Sequence, residues 1–247
     1  MRIIQRRPIR IKPSSNANFS PLSIKDNYVW LRADLGITTV SGKVSNWHDM
    51  SGFGHDVSQV TSTIRPIYVS NSDVNRPYLD CGIGGATQLV FPNNIFTSLS
   101  QAELFFVASH NQQPTTNGNG GIYTITAGGL YDGSHIPFSD NQIYEGFGRT
   151  VRIEGAFNVT GNTAFSPGKT FCWNVSAGSN YEIRLNNLVR YSNNAYTFGI
   201  SSTTYILNTS QGNLFGKCYE LIIFSRVLSV VERAIIYNYI RTRYQIM

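Results

Sequence analysis

Charge is scarce in this chain of 247 residues: 14% of them are Asp, Glu, Lys or Arg, against 41% hydrophobic and 13% aromatic. That balance excludes the disordered class, whose chains hold too little apolar surface to offset the entropy of ordering. Cysteine is nearly missing. Cys81, Cys172 and Cys218 are the only three, and none stands in a C-x-x-C spacing, which excludes a disulfide framework. A reduced state is the simplest reading, although one pair could still meet across strands that are distant in sequence. No apolar run approaches the ~20 residues of a membrane-spanning helix. The opening, Met1 to Pro13, is basic but lacks the apolar stretch of a secretory signal, so we expect no export by that route. Without it, the four Asn-x-Ser/Thr sequons at Asn18, Asn158, Asn174 and Asn208 need carry no glycan.

The net charge of +6 is unevenly placed. Arg2, Arg6, Arg7, Arg10 and Lys12 fall within the first 13 residues with no acid among them, leaving 15 basic against 14 acidic residues in the rest. The body is therefore nearly neutral and offers no electrostatic footprint for DNA or RNA, so nucleic acid is not the expected partner. Residues 1–21, with Pro8, Pro13 and Pro21, read as an extended arm, because proline fixes φ and withholds an N–H. Ile3, Ile4, Ile9 and Ile11 alternate with its charges. Such a segment could lie as an added strand on a neighbouring subunit, with its cations on acidic partners. Residues 22–247 form the second unit.

Within that unit, short apolar runs are punctuated by Gly, Asn, Ser and Pro at strand spacing. Leu104 to Ala108 is a continuous apolar run of strand length, as for a strand buried on both faces. Tyr181 to Leu185 alternates strictly and is followed by Asn186-Asn187 and Leu188 to Tyr191, a hairpin signal, since Asn tolerates positive φ. The tract from Asn111 to Gly121, and the Gly-rich stretches at Gly128-Gly129 and from Gly133 to Gly148, predict loops or irregular hairpins. One helix is predicted. Ser229-Val230-Val231-Glu232 has the capping-box pattern and opens a helix over Glu232 to Tyr244. Val231, Ile235, Ile236, Tyr239 and Ile240 make the stripe expected to pack on a sheet. The fold class expected is all-β, two antiparallel sheets with one C-terminal helix.

Trp30-Leu31-Arg32-Ala33-Asp34, Trp47-His48-Asp49-Met50-Ser51-Gly52-Phe53-Gly54 and Arg76-Pro77-Tyr78-Leu79 stand in that order. At the other end come Glu220-Leu221-Ile222-Ile223-Phe224 and Arg226-Val227-Leu228-Ser229. Together they resemble the laminin G-like branch of the concanavalin A-like lectin and glucanase superfamily, over roughly residues 28–244. The resemblance implies a jelly-roll sandwich and fold-defining roles for Trp30, Asp34, Trp47, Asp49, Gly52, Gly54, Glu220 and Arg226. It also makes Asp49 and Asp56 the residues open to Ca²⁺ at the sandwich rim, with a capped turn the preferred use of Asp49. No other cofactor is expected.

Catalysis is not expected. The superfamily's glycosidases need two carboxylates at period-2 spacing on one strand. Glu103, Glu145, Glu154, Glu182, Glu220 and Glu232 have no such neighbour. There is no G-x-S-x-G elbow, and His48, His55, His110 and His135 lack metal spacing. His48 and His55 read instead as satisfied loop histidines. Glycan binding would use aromatics that stack on sugar faces; Tyr131, Tyr144, Phe147 and Trp173, in or near the variable middle, are the candidates. The resemblance, with the arm, implies a bacteriophage virion protein: a capsid decoration, head fibre or tail component, assembled in the host cytoplasm in multiple copies. Its partners would be other virion proteins and a host-surface glycan, with no membrane partner. A free-standing carbohydrate-binding module of a bacterial surface system is the alternative, and a glycoside hydrolase comes third.

Overall fold

The computed structural model describes residues 19–71, 74–82, 86–111, 120–127, 133–138, 142–150, 152–156, 158, 162–194 and 198–247. Its strands are β1 (Asn27–Arg32), β2 (Ile37–Val40), β3 (Lys43–Trp47), β4 (Val57–Ser58), β5 (Ile67–Val69), β6 (Tyr78–Asp80), β7 (Leu89–Val90), β8 (Ala102–His110) and β9 (Gly121–Thr124). They continue with β10 (Ser134–His135), β11 (Thr170–Ala177), β12 (Tyr181–Leu185), β13 (Leu188–Asn193), β14 (Tyr205–Ile206), β15 (Asn208–Thr209), β16 (Gly212–Asn213) and β17 (Gly216–Phe224). The helix α1 spans Val230–Tyr244.

Hydrogen bonds link fifteen of these strands into one path, β10-β9-β14-β7-β4-β3-β5-β6-β17-β8-β11-β12-β13, with β1 on β17 and β2 on β3. The paired strands are antiparallel, and the path doubles back so that its halves face each other as two sheets of a jelly roll. Phe106 on β8 meets Tyr123 on β9 edge to face at 6.1 Å, and both belong to the cluster that also holds Val57, Leu89, Trp173 and Ile206. This is the layer geometry that buries the apolar face of each sheet.

β8 is buried at all nine positions. Leu104, Phe106 and Ala108 enter the inter-sheet core, while Phe105 and Val107 enter a second cluster under α1 with Trp30, Ile222, Phe224, Ile236 and Ile240. The continuous apolar run in the sequence thus has a partner layer on each side. The predicted hairpin is β12 and β13, with Asn186 and Asn187 at φ 50° and 66°, the conformation that matches strand twist in a two-residue turn.

The capping box forms as predicted: Ser229 Oγ accepts from Glu232 N at 3.2 Å, and Glu232 Oε2 accepts from Ser229 N at 2.9 Å. The helix therefore begins at Val230, two residues before the predicted start. Its buried face is also rotated from the predicted stripe. Ile236, Tyr239, Ile240 and Tyr244 are buried, but Val231 and Ile235 are 68% and 41% exposed. Arg233 turns inward in their place because Glu103, on β8, accepts from its Nε at 2.6 Å and its Nη2 at 2.9 Å. Phe19, Ser20 and Pro21, counted with the arm from sequence, belong to the folded body. Phe19 lies 5.7 Å from Tyr239, and Ser20 caps a short 3-10 turn at Pro21–Ser23. The rest of the arm lies outside the described residues, as does most of the tract from Asn111 to Gly121. No helix among the described residues is long and apolar enough to cross a membrane.

Candidate functional site

The sequence-predicted residues fall into three groups, and the first is a scaffold around α1 and the loop after β3. A bulge in β17 between Cys218 and Glu220 shifts the strand's alternation, so that Glu220 faces the helix. Buried there, its carboxylate accepts from Trp30 Nε1 at 2.6 Å, Tyr244 OH at 2.7 Å and Tyr239 OH at 3.0 Å. Burial pushes the Glu220 pKa up, against those bonds. Asp34 pairs with Arg32 and Arg243, and Arg226 joins Asp26 to Glu232. Trp47 is wholly buried in the inter-sheet core.

Asp49 holds the loop between β3 and β4. Its Oδ1 accepts from Trp30 N (2.8 Å) and Ser51 N (2.9 Å), its Oδ2 from Ser51 Oγ (2.5 Å) and His55 N (3.1 Å). Gly52 and Gly54, at φ 92° and 75°, make the reversal that this clamp closes. A cation at Asp49 would have to displace four donors, so the oxygens do not fit Ca²⁺. Asp56 is likewise used, by Asp49 N and His48 Nδ1, each at 2.8 Å. Among the described residues no cluster of three or more His, Cys, Asp or Glu side chains could hold a metal.

The second group, the candidate sugar platforms, is corrected by burial. Phe147 and Trp173 are fully buried, and Trp173 Nε1 donates to Glu145 Oε2 at 2.7 Å inside the core. Neither ring has a face to offer a ligand. Tyr144 is half-buried, with Phe138 stacked at 4.4 Å and the Arg152 guanidinium 4.6 Å from its centroid, so its ring is already engaged. Tyr131 lies outside the described residues, and so do Arg2, Arg6, Arg7, Arg10 and Lys12, the third group.

Buried acids do not form a catalytic site either. Glu145 is wholly enclosed and accepts from Ser134 Oγ at 2.6 Å, Phe147 N at 2.7 Å and Tyr123 OH at 3.0 Å. Burial raises its pKa, but no substrate atom can approach it. His110 and His135, with pKa values pushed down to about 4 by burial, are equally sealed.

An open site lies elsewhere, in a groove of about 930 Å³ bounded chiefly by three elements, with Val74 from the segment before β6 at its wall. The loop leading into β11 contributes Asn162, Thr163 and Lys169; the β12–β13 hairpin contributes Asn186, Leu188 and Arg190; the end of α1 contributes Tyr237 and Gln245. Among the described residues no side-chain carboxylate lines it. Asn162 Oδ1 accepts from Ala164 N at 3.1 Å and Asn186 Oδ1 from Cys172 N at 2.9 Å. Each oxygen thereby accepts from the backbone, and neither amide nitrogen has a hydrogen-bond partner among the described residues. Sequence reasoning missed this groove. Its one local signal was the Asn-Asn turn, read as hairpin geometry alone, and the other residues lie far apart in the chain.

No protein-family model matches the sequence, and no curated protein does. Solved structures with a similar fold include the binding domain of Paraclostridial Mosquitocidal Protein 1, with a TM-score of 0.63 and 11% identity over 90% of this chain and 53% of that one. The botulinum neurotoxin type G receptor-binding domain has a TM-score of 0.60 and 13% identity, over 87% of this chain and 51% of that one. Trypanosoma rangeli sialidase, with inhibitor bound, has a TM-score of 0.55 and 13% identity, over 85% and 32%. The chain spans about half the length of the two binding domains. At these identities the likeness is one of fold.

Proposed function

We propose that this chain is a non-enzymatic binding module that holds a carbohydrate in the groove between the β12–β13 hairpin and the end of α1. The observation that carries the reading is an open volume of about 930 Å³ whose lining mixes apolar side chains, Val74, Leu185 and Leu188 among them, with the polar side chains of Asn162, Lys169, Asn186 and Arg190. A groove of this size takes one or two sugar rings, with amides and hydroxyls to read their oxygens. The fold is shared with domains described as binding and receptor-binding, which supports a binding role. Glycoside hydrolysis needs two carboxylates, and the described residues supply no side-chain carboxylate to this lining. A glycan array probed with the full chain and with Leu188→Trp tests this. Leu188 is 61% exposed, so the indole fills the groove without disturbing the core. Loss of binding in the variant is expected; a wild-type chain that binds no glycan overturns the reading.

The setting proposed for this module is a virion surface, as the laminin G-like resemblance implies. Its basic arm, which holds five of the chain's 20 cations, would dock on another virion protein and present the jelly roll to host glycans. Replacing Arg2, Arg6, Arg7 and Arg10 with Gln in the full chain should abolish association with the shell protein and leave the fold intact. Unchanged association removes the arm from the interface and favours the free-standing module.

A further inference from the structure

We infer that the ligand of this groove is an acidic glycan, and that Lys169 and Arg190 recognise its carboxylate. This rests on the glycan reading and narrows it. Six of the body's 15 cations, Arg32, Arg152, Arg184, Arg226, Arg233 and Arg243, pair with acids. Lys169 and Arg190 are exposed and share one groove, and their side chains have neither a hydrogen bond nor an ion pair with any described residue.

The charge is not needed by the helix end nearby. The last turn of α1 already carries Arg241 and Arg243, which complement the negative end of the helix dipole. The polar neighbours point to the same ligand class. With each oxygen already accepting from a backbone N–H, Asn162 and Asn186 have their amide N–H groups to offer a ligand. The lining also holds the hydroxyls of Thr163, Thr170 and Tyr237, which can donate or accept, and the apolar side chains of Val74, Leu185 and Met247, so it is the charge balance, two cations and no side-chain carboxylate among the described residues, that suits a ligand carrying negative charge. A carboxylated sugar fits: the guanidinium can take the carboxylate in two parallel bonds, the ammonium adds a point charge, and the amide N–H groups donate to ring and hydroxyl oxygens. The same groove disfavours the chain's own arm, whose five cations would be repelled.

The test is titration calorimetry of the full chain with paired probes, sialyllactose against lactose and trigalacturonate against galactotriose, and with inorganic sulfate and a sulfated oligosaccharide as further arms. The protein is compared with Lys169→Gln/Arg190→Gln, whose two sites are exposed, and folding of the variant is checked by thermal melting. The expected result is binding of at least one carboxylated probe, with affinity down by about tenfold or more in the variant and any neutral binding unchanged. Equal affinity for acidic and neutral probes, or an acidic affinity the variant does not lower, overturns the inference while glycan binding stands. If only sulfated probes or free sulfate bind, the carboxylate assignment is overturned. If no probe of either kind binds and the glycan array is blank, the underlying reading falls with it.

Discussion

At the scale of the residue, the strongest commitments are polar groups buried in pairs. Glu103 is wholly enclosed between β8 and α1, where Arg233, Asn174 Nδ2 and Leu228 N all donate to it. Removing the cation leaves the acid in a dry site. Arg233→Met should therefore cost about 3–5 kcal/mol in urea denaturation, and adding Glu103→Gln to it should restore a large part. Glu232 provides a titratable counterpart at the surface. Arg226 and the Ser229 cap hold its pKa down to about 2 from an ordinary 4.5. A depressed folded-state pKa gives stability that is present above the unfolded value and is lost as the pH falls through the folded one. Thermal stability should thus drop between pH 4.5 and 2, and Glu232→Gln should flatten that part of the profile.

At the scale of the element, what could be read from sequence was whatever is decided locally. The capping box, the Asn-Asn hairpin and the unbroken apolar run of β8 each specify their conformation within a few residues. The buried face of α1 is decided at a distance. Val231 and Ile235 are more apolar than Arg233, yet Glu103, 130 residues away, draws Arg233 inward and rotates the helix. Val231→Lys should consequently change stability by less than about 0.5 kcal/mol. Ile236→Ala should cost about 2–5 kcal/mol. Comparable losses at both positions would restore the predicted stripe. Trp173 misled for a related reason. It follows a stretch rich in Gly and Asn, but it lies on β11 beside β8, and composition does not record which strand becomes central. The groove was illegible because Lys169, Arg190 and Tyr237 come from three elements that only folding brings together.

At the scale of the whole molecule, α1 and the two sheets form three layers, and the cysteines lie within them. Cys172 belongs to the cluster under α1, while Cys81 and Cys218 belong to the inter-sheet core. All three are free. Burial raises every thiol, that of Cys81 to about 12, so none supplies thiolate at neutral pH. The native protein should accordingly be silent to a thiol reagent such as dithionitrobenzoate and should titrate three thiols once unfolded. A reducing agent should leave the melting temperature unchanged, and a thiol that reacts quickly in the native state would contradict this packing.

The position of β17 has a consequence for synthesis. It lies between β8 on one side and β1 and β6 on the other, and it follows every other strand in the chain. A ribosome therefore delivers β1, β6 and β8 well before the strand that joins them, and α1, which covers Phe105 and Val107, later still. Until then the nascent chain carries three strands, β1, β6 and β8, each with an edge that lacks its partner, and an uncovered apolar face, the features that chaperones bind and that aggregation exploits. The strand at the middle of the sheet is the last to be made, and premature termination before Gly216 would yield a chain with no middle.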